Sequence, residues 1–238
     1  MCIECQTGSR LSRRHFLAMG GAALAASQLP LRAEAQTAGA APNAISPDEA
    51  LKRIMDGNAR YASNTSTNKD FSANRAARAA AQFPIAGIIS CADSRVAPEL
   101  AFDQGPGELF VVRLAGNFVN DDGLASIEYG VKFLGIPALM VLGHTGCGAV
   151  DATIKVLKDN VKLPGHLPGL INSIKPAVEA AKKKNPADLL AEATAENVRL
   201  NVKRLMTSTP ILSGFVKEGK LKVVGGVYDI ATGKVNMV

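Results

Sequence analysis

The chain is 238 residues long, 47% hydrophobic and 20% charged, with a formal net charge of +6. That length suits one large α/β domain with its own core and is small for two. The basic excess forms no Arg-rich stripe, and with no tryptophan and three tyrosines there is no stacking platform, which argues against a nucleic-acid partner.

Ser12-Arg13-Arg14-His15-Phe16-Leu17 places two adjacent arginines before an apolar, small-residue stretch from Ala18 to Leu31, and Ala33-Glu34-Ala35 has the small-x-small form of a cleavage site. The pattern predicts a twin-arginine export signal over residues 1–35, removed on the way to the periplasm. A membrane anchor is the competing reading. The apolar run is interrupted by Gly20, Gly21, Ser27 and Gln28 and is too short to span comfortably, so no stable anchor is expected after cleavage. Cleavage after Ala35 would remove Arg10, Arg13, Arg14, Arg32, Glu4 and Glu34, and with them two net positive charges. It would also remove Cys2 and Cys5, leaving Cys91 and Cys147 as the cysteines of the mature chain. Residues 36–45, rich in Ala, Gly and Pro, read as a flexible leader, and residues 46–238 as a single domain.

Ser46-Pro47-Asp48-Glu49 opens that domain as a helix start, with Ser as N-cap, Pro in the first turn and Glu three residues after the cap. The helix should run to about Tyr61, and a second, Ala-rich one should cover roughly residues 73–82. Ile85 to Cys91, Glu108 to Leu114 and Ala138 to Gly143 are short apolar runs that read as strands buried on both faces. Between the last two, Leu124, Ile127, Val131 and Leu134 have helical spacing, so strand, helix and strand form a parallel crossover. Further helices are predicted over Val150 to about Leu157, Leu170 to Lys183, and Pro186 to Met206 with Asn185 as cap. Leu221 to Tyr228 and Lys234 to Val238 read as a closing hairpin. The expected fold is α/β, a mainly parallel sheet with flanking helices, and ligands of such sheets gather beyond the carboxyl ends of the strands.

Both chemical motifs fall at such ends. Cys91-Ala92-Asp93-Ser94-Arg95 closes the first strand, and His144-Thr145-Gly146-Cys147 follows the third. Two thiolates and an imidazole suit Zn2+, whose catalytic sites keep one position for water while structural sites fill all four with protein. Asp93 could be a fourth ligand, or could stand back and accept a hydrogen bond from water on the metal. Arg95, two residues on, would pair with it bidentately, an orientation that a purely structural staple does not require. In an oxidising compartment a Cys91 to Cys147 disulfide is the rival. The twin-arginine route moves proteins already folded, which suits a domain that takes up its metal before export.

With these motifs the chain resembles the β-class carbonic anhydrases, from about Ser46 to the C-terminus. Supporting segments are Pro106-Gly107-Glu108-Leu109-Phe110-Val111-Val112-Arg113, Ala115-Gly116-Asn117, Ser126-Ile127-Glu128-Tyr129 and Gly225-Gly226-Val227-Tyr228-Asp229. The resemblance implies reversible hydration of carbon dioxide to bicarbonate and a proton by zinc-bound hydroxide. It implies Cys91, His144 and Cys147 as zinc ligands, Asp93 and Arg95 as the catalytic dyad, and a close homodimer, or dimer of dimers, with active sites at the subunit interface. Plant-like members carry a substrate-binding glutamine, phenylalanine and tyrosine at spacings matched here by Gln82, Phe110 and Tyr129. On the residues alone, Phe110 and Tyr129 read as ordinary core. The chain departs from the family's Arg-Asn-x-Ala-Asn segment, since Leu114 follows Arg113 and the next small residue after Ala115 is Gly116. With no tryptophan, the inhibitory bicarbonate site of another branch, which includes one, cannot be built.

Two rivals remain at this level. One is a hydrolase of a linear sulfur analogue, carbonyl sulfide or carbon disulfide, on the same scaffold. The other is a non-catalytic dimer stapled by zinc or by a disulfide. His166, in the turn Pro164-Gly165-His166-Leu167-Pro168-Gly169, reads as an exposed loop residue rather than a proton shuttle.

Overall fold

The computed structural model describes residues 41–67, 70–72 and 75–238. The predicted export signal, and the predicted leader up to residue 40, lie outside them.

The domain opens with α1 (Pro47–Ala62), whose N-cap Ser46 accepts a hydrogen bond from the Glu49 amide at 3.1 Å, the cap chemistry predicted from Ser-Pro-Asp-Glu. A short α2 (Arg75–Ala80) precedes β1 (Ala86–Ser90). After α3 (Pro98–Ala101) the chain forms β2 (Leu109–Arg113), α4 (Asp121–Leu134) and β3 (Ala138–His144). Helices α5 (Gly148–Asp159), α6 (Leu167–Lys183), α7 (Leu189–Thr207) and α8 (Ile211–Lys217) follow, and β4 (Lys222–Tyr228) and β5 (Val235–Met237) close the chain.

The strands form one sheet in the order β2-β1-β3-β4-β5, parallel except for the antiparallel β4–β5 hairpin. Every residue of β1 and β3 is buried, as their unbroken apolar runs require of central strands covered on both faces. One face packs Ile88, Met140 and Leu142 with Ile54 of α1 and Phe102 after α3. The other packs Ile89, Leu139 and Val141 with Ile127 and Val131 of α4, Val198 and Leu205 of α7, and Leu212 of α8. Burial of each such side chain contributes about 1.5–3 kcal/mol. Edge strand β2 is only half covered.

Boundaries differ from expectation where a side-chain hydrogen bond decides. Asn185 takes a left-handed conformation (φ 47°) outside the helix, and Asp188 caps α7 instead by accepting from the Ala191 amide at 3.0 Å. Helix α6 begins at Leu167 rather than Leu170, because Pro168 sits in its first turn, where its fixed φ favours helix and its missing N–H costs nothing. His166 is exposed, at the N-cap of α6. Helix α8 was not predicted, since Pro210 and Gly214 masked so short an element. No helix among the described residues is long and apolar enough to cross a membrane.

Candidate metal centre

Strands β1 and β3 are neighbours, with Ser90 opposite Leu142, so the residues leaving their carboxyl ends converge. Cys91 follows β1 directly and His144 ends β3. Three residues on, Cys147 occupies the N-cap of α5, where the unpaired amides and the positive end of the helix dipole favour an anionic sulfur. The turn between His144 and Cys147 is made at Gly146, whose φ of 64° a residue with a Cβ would adopt only under strain. Strand β4 fixes this turn from the side. The Thr145 amide donates to the Tyr228 carbonyl at 2.9 Å, and the Ile230 amide to the Thr145 hydroxyl at 3.1 Å.

The donor atoms of Cys91, His144 and Cys147 lie within 4.8 Å of one another, and all three residues are buried. The two sulfurs are free thiols in the structure, not a disulfide. His144 is fully buried, and its Nδ1–H donates to the Thr145 carbonyl at 3.0 Å, which leaves the lone pair on Nε2. Nε2 itself is buried without a hydrogen-bond partner. A buried imidazole nitrogen without a partner is costly unless something positive meets it, and its tautomer is the one a metal needs. Two sulfurs and this nitrogen fit zinc.

The neighbouring Cys147 thiol, with the Gly116 amide and the nearby His144 ring, lowers the Cys91 pKa to about 4 against the cost of burial. The Cys91 thiolate, together with burial, raises Cys147. Burial opposes protonation of His144, but the adjacent Cys91 sulfur outweighs it and raises its pKa.

Asp93 stands beside the cluster, its Oδ2 3.8 Å from His144 Nε2. Arg95 holds both carboxylate oxygens. Oδ1 accepts from the Arg95 amide and Nε, each at 2.9 Å, and Oδ2 from Nη2 at 2.7 Å. The Arg95 hydrogen bond keeps Asp93 well below the ordinary carboxylate range, against a small burial cost. Because the folded value lies below the unfolded one, the pair's contribution to stability is whole above the ordinary carboxylate range. It is lost as pH falls through the lowered value. Neutral and alkaline pH therefore leave Asp93 ionised.

The predicted substrate residues lie elsewhere in the protomer. Gln82 is exposed ahead of β1, so the five-residue strand, about 16 Å at ~3.3 Å per residue, separates it from Cys91. Phe110 is half-buried on β2 opposite Gly87, near the start of β1, and packs against Gly130 and α4. Tyr129 is 50% exposed on α4, its ring 5.5 Å from that of Phe133, which is 70% exposed.

Other residues that hold the site were not assigned a role from sequence. Arg113, at the end of β2, donates from Nε to the Cys91 carbonyl at 3.0 Å and from Nη2 to the Asp93 carbonyl at 2.7 Å, strapping the ligand loop to the sheet edge. The signal was its place as a charged residue ending an apolar strand. Gly116, where the chain leaves the family pattern, donates its amide to Cys91 Sγ at 3.2 Å.

A profile of the carbonic anhydrase family matches residues 86–235. A carbonic anhydrase of Mycolicibacterium smegmatis is 37% identical over 198 residues, covering 82% of this chain and 95% of that protein. Among solved structures, a Coccomyxa β-carbonic anhydrase in complex with acetazolamide is 29% identical, with a TM-score of 0.59 over 79% of this chain and 86% of that one. One of two tetrameric β-carbonic anhydrases of the ascomycete Sordaria macrospora shares the fold at 22% identity, with a TM-score of 0.64 over 80% of this chain and 97% of its own.

Proposed function

The chain belongs to the carbonic anhydrase family, in its β class, and hydrates carbon dioxide reversibly to bicarbonate with zinc as cofactor; we propose that Cys91, His144 and Cys147 hold the zinc and that Asp93, fixed by Arg95, orients the attacking water. The observation that carries this reading is the buried, partnerless Nε2 of His144 set between two thiols and beside an Arg-held carboxylate. The relatives' carbonic anhydrase activity does not favour a sulfur-analogue hydrolase or a stapled, non-catalytic dimer.

Zinc at this point supplies Lewis acidity, which lowers the pKa of water from 15.7 to about 7. The protein supplies direction. Ionised Asp93 accepts a hydrogen bond from the water and so aims a lone pair at the carbon of CO2. Arg95 holds Asp93 too acidic to keep a proton, so the proton released on hydration passes on to buffer, and Asp93 orients rather than stores it. With both its oxygens engaged by Arg95, Asp93 is turned to this role rather than to ligation, and we read the site as the open form.

The substrate pocket is completed by a second copy. Gln82, Phe110 and Tyr129 are too far from their own metal cluster to serve it. They lie around the half-covered edge strand β2 and the exposed Tyr129–Phe133 face, where a second protomer could dock. A homodimer across this edge, or a dimer of such dimers, would bring one subunit's three residues toward the other's zinc.

We further propose that residues 1–35 are a twin-arginine signal and that the mature enzyme works in the periplasm; the Arg13-Arg14 pair and Ala33-Glu34-Ala35 support this. Replacing both arginines by lysine should leave the full-length precursor in the cytoplasm, and fractionation that still found processed protein outside would count against the route.

Stopped-flow CO2 hydration on zinc-quantified protein tests the chemistry. Activity should rise toward alkaline pH, because two thiolates offset the metal's charge and make the water on it less acidic than a site of neutral ligands would. Asp93→Asn should retain zinc and lose about 10–100-fold in rate. A flat profile would count against the weakly acidic water, and an Asn variant as fast as the parent would remove Asp93 from the mechanism.

A further inference from the structure

Helix α7 carries a buried polar row on the face that meets the sheet, where apolar side chains would be expected. Thr194, Asn197 and Asn201 are 2%, 1% and 7% exposed. The Thr194 hydroxyl is spent locally on the Leu190 carbonyl. The two asparagines instead reach the loop that leaves β2. Asn197 Nδ2 donates to the Gly116 carbonyl at 2.7 Å, and Asn201 Oδ1 accepts from the Val119 amide at 2.8 Å. Asn201 Nδ2 turns back to the Asn197 carbonyl at 2.8 Å, so the pair is braced.

Gly116 is thus gripped at both of its peptide groups. Its carbonyl is held by Asn197, and its amide points at Cys91 Sγ, 3.2 Å away. Its φ is 84°, and a Cβ there would come within 2.5 Å of Ile174 Cδ1 and 3.2 Å of Ala149 Cβ. A side chain there would be both strained and crowded. A buried amide is an unusual choice for a helix face packed on a sheet, since it must be fully satisfied to avoid a desolvation cost of about 1–3 kcal/mol.

We propose that Asn197 is a positioning residue of the metal centre, which, through Gly116, keeps an N–H aimed at the Cys91 thiolate and so sets how firmly that sulfur holds zinc. The inference rests on the assignment of Cys91 as a ligand. A hydrogen bond to a ligand sulfur fixes its lone pairs and disperses its charge, as partners behind metal ligands generally do.

The test uses the folded, 15N-labelled protein reconstituted with 113Cd in place of zinc. The Gly116 amide should show scalar coupling to the metal across the N–H···S bond. The coupling should vanish in Asn197→Leu, a substitution of similar volume without a donor, and persist in Thr194→Val, which perturbs the same helix face without touching the loop. Zinc release to a chelator should quicken by roughly 10–100-fold in the Leu variant and stay at the parent rate in Thr194→Val. Asn197→Ser provides a second donor-shortened variant if the Leu protein does not fold. Absence of the coupling in the parent overturns the proposal, as does equal coupling and equal zinc release in parent and Asn197 variants. Failure to bind cadmium at all would instead overturn the assignment of Cys91, His144 and Cys147.

Discussion

Cys147→Ser is expected to abolish hydration and to leave the protein with less than stoichiometric zinc. A serine hydroxyl at the N-cap of α5 stays protonated at any working pH, so it cannot supply the soft anionic donor that, with Cys91 and His144, makes the set fit zinc. The loss should exceed the roughly 10–100-fold that outer partners of a metal cost, because one of three ligands is removed. Serine is also a good N-cap residue, so α5 itself should persist. The variant is therefore expected to be folded but less stable, since zinc binding adds folding free energy that the apoprotein lacks. Metal analysis, thermal unfolding and stopped-flow hydration on the same preparation settle it. One zinc per chain with parental turnover would remove Cys147 from the ligand set.

The second large effect is restoration of activity by mixing two defective chains. Asp93→Asn damages the site that holds the metal, and a Gln82→Ala, Tyr129→Ala double variant damages the surface proposed to complete the partner's site. Each homodimer has two faulty sites. In a dimer of one chain of each kind, one site collects both defects and the other none. A two-fold interface makes the two sites equivalent before mutation, so random pairing at equal amounts should leave about a quarter of the sites intact. Co-expressed chains should therefore show activity above the sum of the separate variants, by an amount that tracks the fraction of mixed dimers. Activity that is only the weighted mean of the two would mean that each pocket is built from one chain.

Much of this architecture was legible because it rests on local chemistry. The buried runs Ile85 to Cys91 and Ala138 to Gly143 could only be central strands, and the Ser46 cap obeyed its local rule. Cys91, Asp93, Arg95, His144 and Cys147 stand out in the sequence because a metal site constrains residue type and spacing together, and the structure brings them to one place. What escaped depends on distant partners. Asn185 and Asp188 are both plausible caps, and only the packed course of the chain decides between them. Arg113 and Asn197 act through backbone groups 20 and more residues away, which leaves no pattern in the neighbouring sequence. The spacing of Gln82, Phe110 and Tyr129 identified a resemblance but could not say to which subunit's metal they belong.

The adjacency of β1 and β3 also sets a timetable for the ribosome. Cys91 emerges about 50 residues before His144, roughly 3–10 s of synthesis at ~5–20 residues per second. During that interval Cys91 has neither His144 nor Cys147 to share an ion with. The second sulfur arrives three residues after the imidazole, so the metal can be captured only once the third strand has slid in beside the first. Strand β4, which anchors the His144 turn through Tyr228, comes later still. Ion capture therefore belongs to the end of folding, and if the chain is exported as proposed, the two sulfurs must meet zinc in the reducing cytoplasm before they meet an oxidant.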